Sequence, residues 1–83
     1  MYKIEFDEKA FRDFKKLDKF TQERIGRKIE DLKSNPELGK PLTGKLAGLW
    51  SLRAGNYRAL YQIRHNEILI LVLKIRHRKN AYD

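Results

Sequence analysis

A chain of 83 residues has room for one domain and one modest core, because a fold this small buries only about 60% of the surface its unfolded chain exposes. The absence of cysteine excludes disulfide staples and zinc–thiolate sites, and no apolar run approaches the roughly 20 residues that span a bilayer. The 19 Lys and Arg against 11 Asp and Glu give a net charge of +8, which points to polyanionic partners, either nucleic-acid phosphates or an acidic protein.

Met1-Tyr2-Lys3 leads straight into a strand pattern rather than a signal-peptide core, so a soluble, unprocessed cytoplasmic protein is expected. Tyr2, Ile4 and Phe6 alternate with Lys3 and Glu5, the period-two pattern of a half-buried strand. Asp7 is predicted to cap a helix that buries Ala10, Phe11, Phe14 and Leu17 and turns Lys9, Arg12, Lys15 and Lys16 outward. A second helix is predicted from Thr21 as N-cap, with the apolar stripe Ile25, Ile29 and Leu32, ending at Ser34-Asn35-Pro36. Arg24 leaves Thr21 without an acidic capping-box partner.

Residues 36–48 hold both prolines and three of the five glycines and read as a connector rather than an element. The remainder reads as strands over 49–53, 57–64 and 68–75, joined at Gly55-Asn56 and at His65-Asn66-Glu67. The expected fold is a single α+β domain over 1–83 in the order βααβββ, with a helix hairpin packed on one face of a small, mainly antiparallel sheet.

Turn length fixes which residues oppose each other. A two-residue turn at Gly55-Asn56 sets Arg53 opposite Arg58, Leu52 opposite Ala59 and Trp50 opposite Tyr61. A three-residue loop with Asn66 left-handed sets Arg58 opposite Lys74, Tyr61 opposite Leu71 and Tyr57 opposite Ile75. One face then gathers Trp50, Leu52, Tyr57, Ala59, Tyr61, Ile63, Leu69, Leu71, Leu73 and Ile75. The other carries Ser51, Arg53, Arg58, Gln62, Arg64, Lys74, Arg76 and Arg78, with no Asp or Glu between 53 and 64 or between 68 and 80. A two-residue turn after Arg64 would mix charge into the core, where unpaired charge is costly. A face so uniformly basic suits a phosphate backbone better than bulk water.

P-loop, HExxH and GxSxG motifs are absent, as is a cysteine nucleophile, and His65 and His77 fall at opposite ends of one strand. Neither a metal nor another cofactor is expected. What remains is fixed cations beside proton-exchanging groups, namely His77, Tyr82 and the lysines. That inventory suits RNA cleavage by the substrate's own 2′-hydroxyl, in which the protein orients the nucleophile and neutralises the phosphorane. Arginine forks match that charge, and histidine is the side-chain type suited to exchanging a proton near neutral pH, although the parity of His77 equally suits packing at the core edge. Tyr82 suits stacking on a base or pinning of the C-terminus.

The segments "PLTGKLAGLWSLRAGNYRALYQI" and "ILVLKIRHRKNAY" resemble the RelE/ParE toxin superfamily, most closely its RelE-like branch of ribosome-dependent mRNA endonucleases. The likeness extends to "FDEKAFRDFKKLDK" and "IGRKIEDLKSNP", which resemble the paired helices of that family. It implies a toxin that cleaves messenger RNA in the ribosomal A site without metal and is covered by a cognate antitoxin. It also implies a transition-state phosphate contact for Arg58, charge stabilisation or leaving-group protonation for Arg78, base stacking for Tyr82 and a branch-dependent role for His77. Arg53, Lys45, Arg64, Lys74, Arg76 and Lys79 are the expected RNA-binding cations. Ser51 departs from the pattern, standing where RelE-like nucleases commonly carry a lysine or arginine. A serine has neither the charge nor the pKa for that position, which keeps open a ParE-like gyrase inhibitor or an attenuated RNA-binding relic.

Overall fold

The computed structural model describes residues 1–80, in which two helices cover one face of a five-stranded sheet. The strands are β1 (Lys3–Phe6), β2 (Lys40–Pro41), β3 (Trp50–Ala54), β4 (Tyr57–Arg64) and β5 (Leu69–His77), in the spatial order β1-β5-β4-β3-β2. The helices are α1 (Glu8–Lys15), packed on β5 and β1, and α2 (Lys19–Asp31), packed on β3 and β4. All neighbouring strands pair antiparallel except β1 with β5, which run parallel because the helix hairpin carries the chain back across the sheet before β5 forms. The expected α+β order is therefore present, with one addition: the 36–48 connector contains β2 and two 3₁₀ turns, Pro36–Leu38 and Gly44–Leu46.

Asp7 caps α1 as its sequence position predicts, accepting a hydrogen bond from the Lys9 amide. The start of α2 differs from expectation, because Asp18 and not Thr21 is the N-cap. Its carboxylate accepts from the Thr21 amide at 3.1 Å and from the Thr21 hydroxyl at 2.6 Å. The Thr21 side-chain hydrogen bond first, and then the backbone ones, hold the Asp18 carboxyl below its usual range. An ionised acceptor at the positive end of a helix outcompetes a hydroxyl for this place, so Thr21 sits inside the first turn.

The core is built from Ala10, Ile25, Ile29 and Leu32 of the helices against Leu52, Ala54, Ala59, Tyr61, Ile70, Val72 and Ile75 of the sheet. The Gly55-Asn56 turn produces the expected β3–β4 register, with Arg53 opposite Arg58, Leu52 opposite Ala59 and Trp50 opposite Tyr61. The β4–β5 register departs from expectation. Arg64 pairs with Leu69, so residues 65–68 form a four-residue connection, and the left-handed position is Ile68 (φ 50°) rather than Asn66. That parity turns Ile70 and Val72, not Leu71 and Leu73, towards the helices, while Leu69 is buried at 7% exposure outside the main cluster.

Continued to the end of the strands, the same parity would have sent the β5 cations inward. A bulge prevents this: Tyr61 pairs with Val72 and Leu60 with Lys74, leaving Leu73 without a partner. Beyond the bulge Ile75 faces the core opposite Ala59, and Arg58 lies opposite Arg76 instead of Lys74. Tyr57 accordingly faces His77 instead of Ile75.

Candidate nucleic-acid interface

With the bulge in place, Arg53, Arg58 and Arg76 form one row across β3, β4 and β5, each the direct cross-strand neighbour of the next. Adjacent strands stand about 4.8 Å apart, so the three backbones fall within about 10 Å. The next row on this face is Ser51, Leu60 and Lys74. Like charges placed directly opposite one another oppose folding, and an anion between them would reverse the sign of that contribution.

Among the described residues the ion pairs are Lys9–Asp13, Arg12–Glu8, Lys33–Glu30 and Arg64–Glu67, and none includes Arg53, Lys74 or Arg76. The Nε of Arg76 is buried without a hydrogen-bond partner among these residues. Arg58 donates to the Ser51 hydroxyl at 3.5 Å, and Ser51 is buried, with only 4% of its surface exposed.

The remaining sequence-predicted cations lie elsewhere. Arg64 is six residues along β4 from Arg58, roughly 20 Å away, and is held by Glu67 and by a hydrogen bond to Gln62. Lys45 is exposed on the 3₁₀ turn before β3. Arg78 and Lys79 are exposed on a 3₁₀ turn (Arg78–Asn80) that follows β5, and the Arg78 amide donates to the Asn56 carbonyl at 2.7 Å beside the β3–β4 turn. The register therefore sets Arg76, rather than Arg78, against Arg58. His77 is exposed at the strand end, its ring edge-on to Tyr57 at 5.3 Å and its Nδ1 accepting from the Lys79 amide. Tyr82 lies outside the described residues.

A pocket at the β2 margin of this face is lined by Lys28, Leu38, Gly39, Lys40, Ser51, Leu52, Arg53 and Arg58, with a volume of about 220 Å³. Its wall is fixed by Tyr61, whose hydroxyl reaches the sheet margin, donates to the Pro36 carbonyl at 2.7 Å and accepts from the Gly39 amide at 3.0 Å. Burial raises the Tyr61 phenol above its ordinary pKa, the Gly39 hydrogen bond partly opposes this, and the charge of Glu37 adds to the rise. Only glycine fits at position 39, because a Cβ there would lie 2.6 Å from the Ser51 carbonyl oxygen and 2.8 Å from the Tyr61 hydroxyl. Lys28 and Lys40 were not legible as site residues, since one is spaced like any exposed helix lysine and the other falls in the apparent connector.

The chain matches, over residues 4–82, the family model described as the ParE toxin of type II toxin–antitoxin systems. It is 35% identical to toxin RelG of Mycobacterium tuberculosis over 98% of this chain and 95% of the relative. It is 26% identical to the mRNA interferase toxin RelE of Escherichia coli over 99% of this chain and 90% of that one. Among solved structures, the toxin–antitoxin complex RelBE of M. tuberculosis contains a chain that superposes with a TM-score of 0.86 at 35% identity, covering 93% of this chain and 98% of that one. The isolated E. coli RelE toxin shares the fold, with a TM-score of 0.83 at 20% identity over 99% and 89% of the two chains. Matched from its first strand to its C-terminal segment, the chain belongs to the ParE toxin family of type II toxin–antitoxin systems, within the RelE/ParE superfamily.

Proposed function

We propose that this toxin is a cytoplasmic, ribosome-dependent endoribonuclease that cleaves messenger RNA by attack of the 2′-hydroxyl on the adjacent phosphate, without a metal or other cofactor. The observation that carries this reading is the cross-strand row Arg53–Arg58–Arg76, a set of fixed cations on a face that the helices leave open. In such a reaction the substrate supplies its own nucleophile, so the protein's main task is to hold the phosphate and stabilise the charge that develops on its oxygens. Arg58 and Arg76 take that role, with Arg53 and Lys74 guiding the backbone. Arg78, His77 and Tyr82 at the C-terminal end are the groups assigned to the leaving oxygen and the base.

Two named relatives support the reading: the E. coli RelE chain is an mRNA interferase, and the M. tuberculosis neighbour was solved as a toxin–antitoxin complex. An antitoxin of acidic or amphipathic character, covering the arginine face or displacing the C-terminal segment, is the expected partner. Co-expression with the neighbouring open reading frame tests it, by relief of toxicity and recovery of a complex.

Ser51 favours a second reading, that of a gyrase-binding ParE-like toxin or an attenuated nuclease, because it brings a hydroxyl to a position where a cation would assist attack. The deciding experiment is primer extension on ribosome-bound message after toxin induction. Site-specific cuts lost in the Arg58→Ala/Arg76→Ala double variant support the nuclease. Intact messages together with inhibited supercoiling would overturn it in favour of the gyrase inhibitor.

A further inference from the structure

The pocket at the β2 margin is lined by cations without a carboxylate among them. Lys28 comes from α2, Lys40 from β2, Arg53 from β3 and Arg58 from β4, so four elements distant in sequence each deliver one cation, and no acidic side chain lines the space. The neighbouring groove on α2, by contrast, mixes Arg24, Arg27 and Lys28 with Glu23 and Asp31, as a solvated helix face normally does. Among the described residues, no ion pair takes Lys28, Lys40 or Arg53.

The pocket is also built rather than incidental. Tyr61 bridges Pro36 and Gly39 and so holds the segment bearing Lys40 against β3. Ser51, buried at 4% exposure, lines it with a hydroxyl that accepts from Arg58 and retains its own proton to donate. A wall of fixed backbone, several ammonium and guanidinium groups and one hydroxyl donor is the chemistry of a phosphate site.

We propose that this pocket is a second phosphate subsite, which holds a backbone phosphate flanking the one gripped by Arg58 and Arg76. The inference rests on the RNA-cleaving reading and adds to it a substrate requirement, a single-stranded segment with at least two phosphates engaged at once. The two positions are about two strand spacings apart, roughly 10 Å, with Arg58 shared between them. The subsite supplies binding and alignment, not charge stabilisation at the reacting phosphate, so its loss raises KM far more than it lowers kcat.

The test uses the full chain and a single-stranded RNA oligonucleotide that is 2′-O-methylated throughout and so cannot be cleaved, with affinity followed by fluorescence anisotropy across a salt series. The Lys28→Gln/Lys40→Gln variant changes two exposed side chains, and its melting temperature checks that the fold is kept. The expected result is at least tenfold weaker binding at low salt and a salt dependence shallower by about 0.7 for each phosphate that is no longer neutralised. Inorganic phosphate should shift the Gly39 and Ser51 amide resonances of the wild type and not those of the variant. If the lysine variant binds like wild type with the same salt slope while Arg58→Gln/Arg76→Gln binds weakly, the subsite is overturned and the RNA reading stands. If neither pair changes binding, the RNA reading fails and the subsite falls with it.

Discussion

Arg58 on β4 stands directly across from Arg76 on β5, a like-charged pair in register on the open face of the sheet. Like charges opposed across an antiparallel pair weaken it, and an anion bound between them would offset that repulsion. Arg76→Gln should therefore raise stability by about 0.2–1 kcal/mol at low salt, an advantage that shrinks in 1 M salt as the repulsion is screened. Thermal melts at the two ionic strengths check this.

The same pairing separates Arg76 from Arg78. Arg76→Ala should lower ribosome-dependent cleavage by about 100-fold or more, the scale on which removing one preorganised charge stabiliser acts. Arg78→Ala, on the turn after β5, should lower it less. Cleavage rates measured on one message with purified ribosomes decide the order, and a larger loss at Arg78 would count against the register argument.

Ser51 donates no charge to the site, yet it lies beside Arg58 and lines the basic pocket. Ser51→Lys should increase cleavage by roughly tenfold to 100-fold by adding a cation and a proton-exchanging group where the attacking hydroxyl needs help. Burial lowers a lysine pKa, and four neighbouring cations lower it further, so the neutral amine that can take the hydroxyl proton forms below the usual lysine range, and the gain should grow as pH rises through that lowered value. A pH–rate profile of the variant against wild type is the measurement. An unchanged rate would assign Ser51 to packing alone.

Tyr61→Phe removes the bridge between Pro36 and Gly39 and should cost about 1–3 kcal/mol, which in a domain of this size lowers the melting temperature by several degrees. The folded-state phenol is raised, so its contribution is complete below the ordinary tyrosine pKa of about 10 and is lost as pH rises through the folded value. Wild type should thus lose stability in the alkaline range by a term that the phenylalanine variant lacks. Urea denaturation between neutral pH and about pH 11 measures it.

Ile68 adopts φ 50° and is 52% exposed, so a β-branched residue occupies a conformation that glycine reaches without strain and gains little burial in return. Ile68→Gly should stabilise the fold by about 0.5–1 kcal/mol, the left-handed penalty of roughly 1–2 kcal/mol less the entropy that glycine gives the unfolded chain. The carbonyl of Ile68, which accepts from the Lys3 amide, is retained. Chemical denaturation of the pair gives the answer, and a loss of stability would mean that the Ile68 side chain holds the loop.

By itself the sequence determined the βααβββ order apart from β2, the β3–β4 register and the helix faces apart from Phe11, which was expected inside but is 49% exposed, its ring edge-on to Phe6 at the margin of the sheet. Amphipathic spacing specifies which side of a helix is buried, and a two-residue Gly55-Asn56 turn leaves one pairing that keeps Leu52 and Ala59 inside and Arg53 and Arg58 outside. The β4–β5 register was decided by tertiary structure. Residues 68–73 are apolar without interruption, so no alternation there distinguishes one face from the other. Closing the loop with four residues and then restoring parity through the bulge at Leu73 buries Ile70, Val72 and Ile75 while keeping Arg76 outside. The pocket, too, exists only in three dimensions. Lys28 and Lys40 line it with Arg53 because α2 packs on β3 and Tyr61 ties the segment after α2 to the edge of the sheet, a long-range hydrogen-bond bridge that leaves no periodic trace in the chain.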